Sequence, residues 1–167
     1  INVENIEELR VLSDLATGRG ARQRVALRIN PGVDPRTHAY LATGKSGSKF
    51  GMGVDDALAL VRDRAQYPGV SIEGLHVHNG STIIDTEVFA ASARVMLDAL
   101  AKCRALGASI SDLDMGGGFG VAYMPGQPDA DLAGISRELL RLARQADVNL
   151  QFEPGRYLVA DACVLLA

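Results

Sequence analysis

Apolar and polar residues along this chain follow two alternating periods. Four stretches space apolar side chains three or four residues apart, as on one face of a helix. The first runs from about Glu4 to Ala16, with Ile6, Leu9, Leu12 and Leu15 on one face and Gly18 past its end. The second, about Asp55 to Ala65, carries Leu58, Leu60 and Val61. The third, about Thr86 to Leu106, carries Phe89, Ala93, Met96, Leu100 and Cys103 between a capping Asp85 and a terminating Gly107. The fourth, about Leu132 to Ala146, carries Ile135, Leu139, Leu142 and Ala143. Between and after them, the runs Val25–Asn30, Ile72–His78, Ile110–Met115, Leu150–Glu153 and Tyr157–Leu166 read as strands. Strands that alternate with helices predict a parallel sheet covered by helices.

Alternation within the strands narrows the architecture. One face carries Val25, Leu27 and Ile29, then Leu75 and Val77, Leu113 and Met115, Leu150 and Phe152. The other carries Ala26, Arg28 and Asn30, then Gly74, His76 and His78, Asp112, Asp114 and Gly116, Gln151 and Glu153. Period two puts these sets on opposite sides of the sheet. A doubly wound sheet meets helices on both faces and needs both apolar. A polar face on four successive strands instead predicts an α/β fold of the (β/α)8 barrel type, with helices outside and polar residues turned toward a site at the strand C-termini. A complete barrel takes roughly 250 residues, so five strands and four helices predict part of one.

The chain has 167 residues, 47% of them hydrophobic and 22% charged, a balance suited to a globular domain. A net charge of −3, with no basic stripe and interleaved aromatics, argues against a nucleic-acid partner. Cys103 and Cys163 form neither a disulfide framework nor a CxxC pair, so a reducing cytoplasm is expected. The apolar run Tyr157–Ala167 is interrupted by Asp161 and too short for a bilayer, so no membrane partner is expected. The start, Ile1-Asn2-Val3, and the end, Leu165-Leu166-Ala167, both look cut, and the chain reads as an internal piece of a longer protein.

The tail Gln151-Phe152-Glu153-Pro154-Gly155-Arg156 is the richest in chemistry. A Pro-Gly turn at a strand end frees backbone N–H groups for an anion, and Arg156 adds a planar cationic fork. The Glu153 carboxylate opposes an anion and needs another partner. A phosphorylated cofactor with a protonated ring nitrogen satisfies all three, and pyridoxal 5'-phosphate is one. Asp114-Met115-Gly116-Gly117-Gly118-Phe119-Gly120 lacks the spacing of a dinucleotide fingerprint. It reads either as a flexible turn or as a close backbone approach to a phosphate. Gly44-Lys45-Ser46 lacks the upstream glycine of a P-loop, because Ala39 stands there. His76 and His78 share a strand face. They read as metal ligands short of further partners, as buried structural histidines, or as a ring stacked on a flat cofactor. His78, nearer the strand end, is the better stacker, and no metal is expected. Arg28 inside the barrel needs a partner, with Asp112, Asp114 and Glu153 as candidates.

Taken together, several segments resemble the fold-type III pyridoxal-phosphate decarboxylases, the alanine-racemase-like barrels, and within them the diaminopimelate decarboxylases. They are Leu27-Arg28-Ile29-Asn30-Pro31, Thr37-His38 through Thr43-Gly44, Ser48-Lys49-Phe50-Gly51, Gly74 through Ser81, Met115 through Gly120, and Glu153-Pro154-Gly155-Arg156. They follow family order over essentially the whole chain. The resemblance implies that His78 stacks on the pyridine ring. It implies that Ser81, Gly116, Gly117, Gly118, Gly155 and Arg156 hold the phosphate. It also implies that Glu153 pairs with the ring nitrogen and that Arg156 lies near a substrate carboxylate. Glu153 and His78 would be the catalytic residues, acting on meso-diaminopimelate to give L-lysine and carbon dioxide, in a homodimer.

One departure is Thr82, where the family usually has glutamine. The family's lysine that joins the cofactor is expected upstream of this chain, since Lys45, Lys49 and Lys102 are not placed for it. The C-terminal β-domain is likewise expected outside, so the 167 residues alone are expected to be inactive. The alternatives are a related ornithine, arginine or other diamino-acid decarboxylase, a non-catalytic regulatory relative, and a metal-dependent barrel hydrolase built on His76 and His78.

Overall fold

A computed structural model of the chain describes residues 1–33 and 50–162. Thr37-His38 through Thr43-Gly44, Gly44-Lys45-Ser46, Lys49 and Cys163 lie outside the described residues. The elements in order are β1 (Asn2–Val3), α1 (Ile6–Gly18), β2 (Gln23–Arg28), α2 (Val54–Arg62), β3 (Val70–His76), α3 (Thr86–Ala105), β4 (Asp112–Asp114), α4 (Leu132–Ala146), β5 (Asn149–Gln151) and α5 (Gly155–Val159). All five strands are parallel, and their spatial order is their order in sequence. Each crossover therefore returns to the adjacent position. This is the winding of a barrel arc, as the polar inner face predicts, and not of a doubly wound sheet with its reversal point.

The helices pack on one side of the arc. Leu9, Phe89, Met96, Leu100, Ile135 and Leu139 bury their side chains against Val25, Leu27, Leu75, Val77, Leu113 and Met115. The opposite face keeps the polar set in register. Asn2, Ala26, Gly74, Asp112 and Asn149 form one row, and Arg28, His76, Asp114 and Gln151 form the next. Because residues abreast share a face, these rows fix which side chains meet.

Two expectations change. The run Tyr157–Leu166 is not a strand over its described part: Gly155–Val159 is helical and Ala160–Ala162 is a 3-10 turn. Pro154, at φ −79°, stands at the helix N-cap. Leu158 and Val159 remain 70% and 52% exposed, with no sheet partner among the described residues. Arg28 does not pair with Asp112, Asp114 or Glu153 but forms an ion pair with Glu4 and lies over the Phe50 ring at 5.2 Å. Val3 is abreast of Leu27, so Glu4 leaves β1 beside Arg28. Asp112 is instead bonded by Arg24 at 3.0 Å.

Helix α1 begins where the sequence provides a cap. The Asn5 side chain accepts from the Glu8 N–H at 2.9 Å, and the Glu8 carboxylate accepts from the Glu4 N–H at 2.7 Å. Asn5→Ala in the full-length protein removes this cap and is expected to cost about 1 kcal/mol. Asn5→Asp is expected to retain most of it. The midpoints of urea unfolding measure both, and an unshifted midpoint for the alanine variant would contradict the cap's contribution.

Candidate active site at the strand C-termini

The hydrogen-bond ladder continues past the strands and draws their exit loops together. Val77 N–H donates to Asp114 O at 2.9 Å, Met115 N–H to Gln151 O at 3.0 Å, Glu153 N–H to Gly116 O at 2.9 Å, and Ile83 N–H to Gly118 O at 2.8 Å. The glycine turn after β4 thus sits between the loops after β3 and β5. Gly116 and Gly118 have φ of +67° and +88°. A methyl group on Gly116 would stand 2.5 Å from the Val77 carbonyl oxygen. Methyl groups on Gly117 and Gly118 would stand closer still to the carbonyl oxygens of Glu153 and Gly80. The turn is a close approach of backbone to backbone, where side chains cannot fit.

Neighbouring packing holds the loops in place. Phe119 stacks on buried Phe89 at 5.1 Å and meets Phe152 and Tyr157 at 6.1 and 6.3 Å. The Ser92 hydroxyl of α3 donates to Asn79 Oδ1 at 2.6 Å, which ties the loop after His78 to its helix. Gly117 N–H donates to His78 Nδ1 at 3.5 Å. Thr82 has φ +60°, a conformation β-branched residues rarely adopt, and its hydroxyl donates to Ser81 O at 2.6 Å.

These loops enclose a depression of about 250 Å³. His78, Ser81, Gly118, Glu153, Gly155 and Arg156 line it together with Thr82 and Phe119. Gly116 and Gly117 form the turn leading into it, and Lys102 is not in its wall. Lys102 pairs with Asp98 on α3 at 2.7 Å. Sequence reasoning did not single out Phe119 as lining, and Thr82 entered only as a departure from a motif. Its left-handed backbone has no signature in a threonine codon.

Beneath the depression, His76, Asp114 and Glu153 come together. His76 Nε2 lies 3.5 Å from Glu153 Oε2, and one donor atom from each of the three lies within 4.8 Å of the others. Burial lowers the His76 pKa, while Asp114 and Glu153 pull it back up. Burial also raises the Asp114 carboxyl, opposed by the Gly116 N–H that donates to its Oδ1 at 2.8 Å. His78 is not in this group, so the two histidines do not form the shared site that a metal reading of the pair requires.

The chemistry of the wall suits a flat cationic heterocycle with an anionic tail. A carboxylate stands at one side, an imidazole at another, and a hydroxyl, a guanidinium and glycine backbone surround the rest. Pyridoxal phosphate has that form, and Ser81, Arg156 and the Gly118 and Gly155 backbone of the same wall are the groups that could hold its phosphate.

Comparison with known proteins agrees. Residues 1–160 match the family described as pyridoxal-dependent decarboxylase, pyridoxal binding domain. A diaminopimelate decarboxylase of Zymomonas mobilis is 41% identical over 167 residues, covering 99% of this chain and 40% of that protein. A diaminopimelate decarboxylase of Pseudomonas aeruginosa is 39% identical over 166 residues, covering 99% of this chain and 40% of that protein. The crystal structure of diaminopimelate decarboxylase from Helicobacter pylori complexed with L-lysine superposes with a TM-score of 0.82 at 30% identity, covering 93% of this chain and 39% of that one. The chain thus spans about 40% of the length of these relatives. With its barrel arc, its glycine cradle and a family match over nearly all its residues, the chain belongs to the pyridoxal-dependent decarboxylases, as part of their pyridoxal-binding domain.

Proposed function

We propose that this chain is part of the cofactor-binding barrel of a diaminopimelate decarboxylase, a carboxy-lyase that converts meso-diaminopimelate to L-lysine and carbon dioxide. The observation that supports this most is the convergence of Glu153, His78, Ser81, Gly118 and Arg156 on one depression. The relatives add the substrate: those named above are diaminopimelate decarboxylases, and one was solved with L-lysine, the product of this reaction.

Pyridoxal phosphate, when bound, supplies an electron sink for the negative charge left by the departing carboxylate. The chain's own residues divide the remaining work. Glu153 would pair with the ring nitrogen and favour its protonated form. His78 would stack on the ring. Ser81, the Gly116–Gly118 turn and the Gly155-Arg156 backbone hold the phosphate. The Arg156 guanidinium also holds a substrate carboxylate, with the bidentate geometry that lysine cannot supply. Thr82 lines the same depression, where it can contact the substrate.

The full-length protein is proposed to be a cytoplasmic homodimer. Among the described residues no helix is long and apolar enough to cross a membrane. The deciding assay measures carbon dioxide released by the full-length protein from meso-diaminopimelate, lysine, ornithine and arginine. Release from meso-diaminopimelate alone is expected. Preference for another substrate would assign a sister specificity, and no release from any would favour the regulatory reading.

A further inference from the structure

Among the described residues of the inner face, His76 has the least satisfied surroundings. It is 3% exposed, and among the described residues neither ring nitrogen has a hydrogen-bond partner. Buried polar groups almost always find partners, so two idle nitrogens between two carboxylates need an explanation. Among the described residues, the charged groups facing it are Asp114 on β4, Glu153 beyond β5 and Arg28 on β2, with Glu4 behind Arg28 and His78 two residues along the chain. Glu4 already neutralises Arg28. Asp114 and Glu153 therefore face each other with His76 as their nearest uncommitted partner, and two carboxylates this close oppose each other's ionisation.

The Glu153 side chain is 51% exposed, yet both of its oxygens are addressed from the inner face. Asn2 Nδ2 lies 3.4 Å from Oε1, and His76 Nε2 lies 3.5 Å from Oε2. Glu153 also lines the depression above. One carboxylate thus connects the mouth of the site to the buried histidine.

We propose that His76 is a positioning residue: it shares a proton with Glu153 from beneath and thereby fixes the direction and charge of the carboxylate, with Asp114 completing the set. This role rests on the reading of Glu153 as the partner of the cofactor's ring nitrogen. An N–H donated to an ionised carboxylate favours the charged form. Removing that donor therefore lets Glu153 take up a proton at higher pH, which weakens its hold on a cationic nitrogen.

The test uses the full-length holoenzyme with two replacements of similar volume, His76→Leu, which has no donor, and His76→Gln, which keeps an N–H. Two readouts are the pH titration of the bound cofactor's visible absorbance and the pH profile of kcat. The leucine variant is expected to retain cofactor, to move the acid-side midpoint of both curves upward by about one pH unit, and to lose about tenfold to a hundredfold in kcat, as for other groups that orient a functional ligand. The glutamine variant is expected to return most of the way to wild type. Cofactor absorbance retained in all three proteins, with the same midpoint throughout, would overturn the role of His76 alone. Wild-type enzyme without cofactor absorbance would overturn the reading of the site and this role with it.

Discussion

Glu153→Gln in the full-length enzyme is expected to lower kcat by about a hundredfold to a thousandfold while leaving the cofactor bound, the range found when one preorganised group facing developing charge is removed. Glutamine matches glutamate in shape and keeps an oxygen that can accept a hydrogen bond. In the proposed role of Glu153, glutamine would lack the negative charge that favours a protonated ring nitrogen, the form that accepts electrons well. The loss should fall on kcat more than on KM, since the interaction matters most as charge develops. His78, Ser81 and the glycine turn are untouched, so cofactor content measured by absorbance should stay near wild type. Rates of carbon dioxide release decide the matter. Unchanged turnover would remove Glu153 from this role, and loss of cofactor together with rate would make it a binding residue.

Much of this arrangement is legible in the residues themselves, and the exceptions have physical causes. The step from a polar face to a barrel succeeds because side-chain parity holds at the strand ends, beyond the register shift opposite Val25 and Ala26. Asp112 and Asp114 flank buried Leu113, and Gly74 and His76 flank buried Leu75, so the inner face follows from counting by two. Counting also places Glu153 and His78 on that face. It does not say which residues stand abreast, and the partner of Arg28 depends on that. Glu4 meets Arg28 only because β1 pairs with β2 in one register, and a two-residue strand has too few positions to show a period. The run after Arg156 misleads for the opposite reason. Tyr157, Leu158 and Val159 have the composition of a strand, but no ladder takes them up, and a short helix beginning at Gly155 forms instead. The gathering of His76, Asp114 and Glu153 combines both lessons: parity puts them on one face, and register puts them in reach.

Gly118→Ala is the harshest single-methyl change available in the cradle. Its φ of +88° is one that residues with a Cβ rarely adopt, at a cost of about 1–2 kcal/mol. The added methyl would also press into the Gly80 carbonyl oxygen, a backbone atom with no rotamer by which to retreat. Overpacking of that kind adds about 1–3 kcal/mol. Gly126 provides the control, since its φ is +86° but a methyl there meets nothing within 4 Å. Gly126→Ala therefore carries only the dihedral cost, about 1–2 kcal/mol, and lies outside the depression. In the full-length protein, Gly118→Ala is expected to separate the loops after β3 and β4 and to weaken cofactor affinity about a hundredfold, a change equivalent to about 2.7 kcal/mol. Gly126→Ala is expected to leave that affinity unchanged. Cofactor titrations followed by absorbance, with urea unfolding alongside, separate the local effect from a global one. Equal cofactor affinity in the two variants would show that the close approach of Gly118 to Gly80 is not what shapes the site, because the two residues share their backbone angle and differ in what a side chain would touch.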